Sequence, residues 1–198
     1  MAMADDTGGV ERGGPDGTVG AASRAAGVPR PRRAGKHPVT ARTKARRRAV
    51  EILFEADQRG LLRALGPDAD APEAAATGEC GAAGRLREFA AERAVHSANH
   101  TEAPAYTRQI LSGVADHLTE VDETIETYAQ GWALARMPAV DRAIARVATW
   151  EIVWNDDVDP PVAVDEAMTL GRMLSTDDSP RFLNGLLGRI GDLADTLR

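Results

Sequence analysis

Apolar residues recur at three- and four-residue steps along most of the chain after residue 38, and this spacing predicts α-helices. A first helix is expected over about 41–59, with Thr40 as its N-cap and Gly60 at its end. Its apolar face consists of Ala45, Ala49, Ile52, Leu53 and Ala56. No segment alternates between apolar and polar residues for long enough to predict a strand.

Further helices are predicted downstream, and proline marks the start of most of them. Their expected positions are about 86–95, 104–118, 122–132, 138–154, 160–174 and 180–197. The last helix carries a leucine stripe that places Leu187 in the core. The pattern as a whole predicts an all-α fold, a compact helical domain of about six or seven helices with short connections.

Two stretches lack this periodicity. Residues 1–38 are rich in Gly, Pro and Arg and cannot bury enough apolar surface to order themselves, so a disordered basic arm is predicted there. Residues 39–198 then form one helical domain with a flexible insertion at about 66–104, where Ala, Gly, Asp and Pro dominate. The helix expected at 86–95 falls inside that insertion and is weakly patterned.

The charge is distributed unevenly along the chain. The protein is acidic overall, with a formal net charge of -6 at pH 7. Between Asp16 and Glu51, however, there are ten basic residues and no acidic one, whereas from Ala49 onward there are 26 acidic residues against 13 basic ones. A concentrated cationic segment on an acidic body favours a partner that carries phosphate.

Composition also argues against several classes of protein. No apolar run is long enough for a membrane span, and no apolar stretch of signal-peptide type occurs near residue 1, so a cytoplasmic protein is expected. The single cysteine, Cys80, rules out an internal disulfide or a multi-cysteine zinc site. The histidines have no metal-ligand spacing and no glycine loop fits nucleotide binding, so neither a metal nor a cofactor is predicted.

The strongest candidate binding residues are the bases at the start of the first helix: Arg42, Lys44, Arg46, Arg47 and Arg48. Cations at a helix N-terminus oppose the helix dipole, which favours an external anion as their partner. The helix is expected to pack through its apolar face and to expose these bases, with Phe54 one or two turns on and able to stack a nucleobase. The alternative interpretation is a solvated run of charge without a ligand.

Several blocks of sequence, taken in order, resemble the NusB family of transcription antitermination factors. The similarity covers roughly 41–60 and 106–193. Its most specific blocks are Ala-Arg-Arg-Arg-Ala-Val-Glu-Ile-Leu-Phe at 45–54, Met-Pro-Ala-Val-Asp-Arg-Ala-Ile at 137–144, Trp-Glu-Ile at 150–152, Val-Ala-Val-Asp-Glu-Ala at 162–167 and Asp-Ser-Pro-Arg-Phe-Leu-Asn-Gly-Leu-Leu at 178–187.

The resemblance implies two small helical bundles and a non-catalytic role. Family members bind the boxA element of ribosomal RNA leader transcripts together with the ribosomal small-subunit protein NusE. Single-stranded RNA is expected, because sequence-specific RNA recognition usually targets unpaired bases. The complex joins RNA polymerase and suppresses premature termination. By position in the family motifs, Asp178 and Phe182 are expected at the RNA surface and Asp141 at the NusE surface. Each also has a structural interpretation: Phe182 in the core, Asp178 as a turn acid, and Asp141 as an acid favoured by a helix N-terminus.

Three other functions remain open at this point. An RNA-modifying enzyme is disfavoured, because the chain offers no cofactor domain and no catalytic cysteine outside the insertion. A homodimeric interaction module would bury the basic surface in a dimer. A DNA-binding bundle would bind duplex DNA as well as RNA. Arg146, Glu151 and Glu166 are interpreted as buried or half-buried ion pairs that fix helix packing.

Overall fold

The structure, a computed structural model, describes residues 40–63, 81–95, 102–130 and 132–198, all within a compact unit that runs from Pro38 to Arg198. Within these ranges the chain is helical and contains no strand, which confirms the all-α prediction. The α-helices are α1 (Ala41–Gln58), α2 (Ala82–Val95), α3 (Ala105–Asp116), α4 (Leu118–Tyr128), α5 (Ala139–Trp154), α6 (Pro160–Leu174), α7 (Ser179–Asp192) and α8 (Ala194–Leu197). A short 3-10 helix, Leu134–Arg136, precedes α5.

The first helix begins and ends where the sequence predicts. The Thr43 amide donates a hydrogen bond to the Thr40 side-chain oxygen at 3.0 Å, so Thr40 is the N-cap. Gly60 follows the helix with a φ of 72°, a left-handed conformation that glycine adopts without strain. The predicted apolar face is buried throughout.

The helix α5 joins two groups of helices. It contacts α1 and α3, which also contact each other and α2, and it contacts α4, α6 and α7. This arrangement agrees with two small bundles. Leu187 is fully buried together with its neighbours on α7, as predicted. None of the described helices is long and apolar enough to cross a membrane.

The predicted insertion is partly ordered. The helix expected at 86–95 is confirmed and begins four residues earlier, at Ala82. Because Leu86 and Phe89 are buried in the core, the interpretation of 66–104 as flexible is wrong for this helix. Residues 64–80 and 96–101 lie outside the described residues, and so does the arm predicted at 1–38.

Candidate nucleic-acid interface

The bases at the start of α1 occupy different environments. Arg42 and Lys44 are exposed, and neither has a carboxylate partner within the described ranges. Arg47 and Arg48 share one acid: Arg47 Nε lies 2.9 Å from a Glu51 oxygen, and Arg48 Nη1 lies 3.5 Å from the other. We call Arg42, Lys44, Arg47 and Arg48 the basic surface. Within this surface, Arg42 and Lys44 are the two residues whose charge is least neutralised by acids of the protein itself.

Arg46 is not part of this surface, which corrects the prediction that it is exposed to RNA. Its exposed fraction is 2%, and its Nε donates to both oxygens of Glu151 at 2.9 Å. Its Nη1 also lies 3.4 Å from Glu166 Oε1, and that oxygen accepts a hydrogen bond from the Thr43 hydroxyl at 3.1 Å. A buried guanidinium needs such partners to offset its desolvation. Arg46 therefore ties α1 to α5 and α6 and is unavailable to a ligand.

The buried acid that pairs with Arg46 has a raised pKa. Glu151 is 1% exposed and also accepts a hydrogen bond from the Tyr106 hydroxyl. Burial raises the pKa of the Glu151 carboxyl, and the positive charge of Arg46 opposes that rise. The pKa of Tyr106 is raised as well, first by burial and then by the negative charge of Glu151 beside it. Tyr106 therefore stays protonated and donates to Glu151.

Tyr106 also links this buried cluster to the basic surface. The Arg42 guanidinium lies over its ring, 5.2 Å from the ring centroid, within the range of a cation–π interaction. Arg46 lies 5.4 Å from the same centroid. The ring restrains Arg42 without neutralising its charge, which favours binding of an external phosphate. Tyr106 is therefore a site residue that was not among the residues predicted from the sequence to bind RNA.

Asp141 is buried as well, which contradicts its predicted role as a surface acid that docks NusE. It is 3% exposed, and its Oδ2 accepts a hydrogen bond from the Ser179 hydroxyl at 2.9 Å. The same hydroxyl oxygen accepts a hydrogen bond from the Thr176 amide at 3.2 Å. Asp141 therefore holds the start of α7 against the start of α5.

The two residues predicted to face RNA at the start of α7 differ in exposure. Asp178, the N-cap of α7, is exposed, whereas Phe182, four residues later, is half-buried. The Phe182 ring packs on the core and also contacts Trp132, with a distance of 5.5 Å between ring centroids. Phe54 is half-buried and packed against the core on α1, so its predicted base stacking stays a prediction.

The helix α5 sets the separation between these regions. At one end Glu151 binds Arg46 of α1, and near the other end Asp141 binds Ser179 of α7. Ten residues of helix at 1.5 Å each place these two points about 15 Å apart. The basic surface and the start of α7 are therefore separate regions held by one rigid element.

A second buried cluster fixes the opposite end of α1. Arg142 of α5 donates to Asp57, and Arg146 donates from Nε and Nη2 to the two oxygens of Asp122 at 2.7 and 2.9 Å. The predicted structural roles of Arg146, Glu151 and Glu166 are thus confirmed. Within the described ranges no group of three or more His, Cys, Asp or Glu side chains is placed to hold a metal ion.

Comparison with known proteins identifies the family. The NusB family model matches residues 43–192. The transcription antitermination protein NusB of Beutenbergia cavernae is 49% identical over 162 residues, which cover 81% of this chain and 95% of the relative. NusB of T. maritima superposes with a TM-score of 0.55 at 27% identity, covering 77% of this chain and 92% of that one.

A further solved structure, of the antitermination factors NusB and NusE in complex with double-stranded RNA, shares the fold. Its matching chain gives a TM-score of 0.53 at 19% identity, over 76% of this chain and 96% of that one. Membership of a family of transcription antitermination proteins agrees with the prediction that the chain is not an enzyme. The chain belongs to the NusB family.

Proposed function

We propose that this protein is an RNA-binding transcription antitermination factor. It binds boxA-type single-stranded RNA of ribosomal leader transcripts together with the ribosomal protein NusE. The resulting complex joins RNA polymerase and suppresses premature termination. We expect it to act in the cytoplasm, beside the polymerase.

The observation that carries this proposal is the pair of exposed cations at the start of α1. Arg42 and Lys44 lie in the first turn of a helix that has no acidic residue there, and no described carboxylate neutralises them. Their charge opposes the helix dipole, so a bound phosphate would relieve an unfavourable interaction. Arg42 is in addition held in place by the Tyr106 ring. A structured cationic surface of this kind suits an RNA backbone better than a solvated charge run does.

The solved complex of NusB and NusE with double-stranded RNA supports both classes of partner. We favour unpaired RNA for this chain, because sequence-specific RNA recognition mostly reads unpaired bases. The burial of Arg46 also lowers the number of cations that can contact phosphate. With Arg46 excluded, four cations remain, and the expected slope of log K against log salt is roughly -2.8 instead of the roughly -3.5 expected for five.

The test is RNA binding at near-physiological salt, measured by fluorescence anisotropy with a boxA-containing leader RNA and a scrambled control. We expect the leader to be preferred and the preference to sharpen when NusE is added. In the Arg42→Ala/Lys44→Ala variant the affinity should fall and the salt slope should flatten by roughly 1.4, since two phosphate contacts are lost.

A matched control removes two cations elsewhere. The Arg59→Ala/Arg87→Ala variant changes net charge equally, but both arginines pair with acids, Glu55 and Asp116. It should bind RNA nearly as the unaltered protein does. Equal, weak and salt-sensitive binding to both RNAs would refute the proposed function. Equal losses in the two double variants would show that only overall charge matters.

A further inference from the structure

Lys44 differs chemically from the other cations of the basic surface, because it carries a primary amine. The whole chain has only two lysines, Lys36 and Lys44, and Lys36 lies outside the described residues. Arginine keeps its charge in proteins, whereas the lysine amine is a nucleophile and a target of acetylation. Lys44 is exposed near the start of α1. It is therefore the one residue of the basic surface whose charge can be removed by acylation.

Two arginines flank Lys44 on the same face of the helix. Arg47 and Arg48 follow it by three and four residues, the spacing at which side chains on a helix surface are neighbours. Their side chains are 49% and 29% exposed, and both pair with a single acid, Glu51. One carboxylate for two guanidinium groups leaves a net positive charge beside the Lys44 amine. A small molecule that carries phosphate is therefore attracted to this position.

The Lys44 side chain is free to meet such a molecule. It forms no ion pair within the described ranges, in contrast to Arg46, which Glu151 and Glu166 hold in the interior. The first turn of α1 also contains no acidic residue that would repel an anion. An anion bound at Arg47 and Arg48 thus lies within reach of a mobile amine, and no movement of the helix is needed.

We infer that Lys44 is a site of Nε-acylation by a small activated acyl donor that carries phosphate, and that this modification weakens RNA binding. The inference rests on the proposed function, since the cations that attract the donor are those expected to contact RNA. Acylation removes one positive charge from the basic surface. Bound RNA in turn covers the amine and slows its acylation.

The reaction needs no oxidant or reductant. The unprotonated Lys44 nitrogen forms an amide bond with the acyl carbon. The bond from that carbon to the phosphate oxygen of an acyl phosphate, or to the sulfur of a thioester, breaks at the same time. Phosphate or a thiol leaves, and the proton lost from the nitrogen passes to the leaving group or to solvent.

The first experiment measures acylation rates by peptide mass spectrometry. The full chain is treated with acetyl phosphate and, in a separate arm, with acetyl-coenzyme A, and the faster donor identifies the source of the acyl group. The matched control, Arg172→Lys, places a second lysine on an exposed position of α6 in the same molecule. We expect Lys44 to react roughly tenfold faster than the lysine at position 172, through attraction of the donor, and to lose this advantage as salt is raised. Leader RNA should slow the reaction at Lys44 alone.

The second experiment measures the effect on RNA affinity. Lys44→Gln is neutral like the acetylated side chain, so the salt slope should flatten by roughly 0.7 and affinity should fall roughly fourfold at about 0.15 M salt. Lys44→Arg keeps the charge and cannot be acylated. In proteins that also carry Lys36→Arg, treatment with the donor should weaken binding about fourfold when Lys44 is present and leave the Lys44→Arg protein unchanged.

The outcomes separate this inference from the proposed function. Equal rates at Lys44 and position 172 with both donors would overturn the inference, because the basic surface would then contribute nothing to the reaction. If the unaltered protein binds leader RNA and its acetylated form binds equally well, the inference is overturned and the proposed function stands. The inference also fails if treatment weakens the Lys44→Arg protein by the same factor. An unaltered protein that does not bind leader RNA would overturn both.

Discussion

The bases of α1 illustrate how position along a helix decides the role of a side chain. Arg46 shares a stripe with Val50, Leu53 and Asp57, which recur at three- and four-residue steps and are all buried. Lys44 and Arg47 fall outside this stripe and remain exposed. A run of consecutive bases therefore contains one structural arginine. Because α1 packs on α3, α5 and α6, its buried surface is wider than its apolar residues indicate.

The pairing of Arg46 with Glu151 gives a direct test at this scale. Replacing Glu151 with Gln removes the fully buried counter-ion of Arg46 and leaves it only the less buried Glu166, so we expect a loss of roughly 3 kcal/mol in the free energy of unfolding, at the lower end of the cost of breaking a buried pair. Urea denaturation followed by circular dichroism measures it. Glu51→Gln, which removes the exposed acid beside Arg47, is the control and should change stability by less than about 0.5 kcal/mol. Similar small effects in both variants would mean that the buried pair does not stabilise the fold.

The buried partners of these charges could be anticipated from the sequence only in part. Glu151 lies within the apolar run Trp150-Glu151-Ile152, and an acid in such a run needs a partner. This agrees with the interpretation of Glu151 as a member of an ion pair that fixes helix packing. The sequence pattern did not identify Arg46 as the partner, because 105 residues separate the two and only the packing of α1 on α5 brings them together. Asp141 was misassigned for the same reason: its partner Ser179 lies on another helix.

At the scale of whole helices, amphipathic spacing predicts where a helix lies along the chain better than it predicts the residues at which that helix begins and ends. The helix expected at 122–132 runs instead from Leu118 to Tyr128. Its start is set by a break at His117, whose conformation is not helical. Its end is set by Arg189, which binds the last carbonyl from another helix. Neither the break at His117 nor the hydrogen bond from Arg189 can be recognised in the local sequence. The predicted helix therefore extended to Trp132, which in the structure lies on an exposed segment after the helix.

Close packing of α3 against α5 depends on a glycine. A Cβ atom added at Gly113 would lie 2.0 Å from Trp150 Cε2, well inside contact distance. We expect Gly113→Ala to lower the free energy of unfolding by about 1–3 kcal/mol, because the buried indole has to move. Thermal or urea unfolding measures the change.

Gly188 on α7 is the matched control for that substitution. Nothing lies within 4 Å of a Cβ added there. Alanine has the higher helix propensity at either position, so Gly188→Ala should be neutral or stabilising by up to about 1 kcal/mol. The difference in the free energy of unfolding between the two variants measures the cost of the steric overlap between the added Cβ at Gly113 and Trp150. A Gly113→Ala protein as stable as Gly188→Ala would contradict the packing described for α3 and α5.

On the scale of the whole molecule, the residues that stabilise the helical domain differ from those expected to bind RNA. The buried ion pairs join α1 to α5 at both ends, while Arg42, Lys44 and Asp178 are exposed and Phe182 is half-buried, in two separate regions. The charge pattern alone predicted the first region, and family resemblance added Phe182 and Asp178. Tyr106 was identified as a site residue only from the structure, since its contact with Arg42 joins distant parts of the chain.

This separation predicts the effect of removing residues 1–37. The first helix begins at its N-cap Thr40, which the truncated protein retains. The free energy of unfolding, measured by urea denaturation, should therefore change by less than about 0.5 kcal/mol. The removed segment carries six bases and four acids, and its bases from Arg24 to Lys36 are free of intervening acid. Leader RNA affinity should therefore fall at low salt and converge with that of the full chain as salt is raised. The loss should add to that of Arg42→Ala/Lys44→Ala, because the two sets of cations contact different phosphates. A cooperative loss of helicity on truncation would instead show that the first 37 residues belong to the fold.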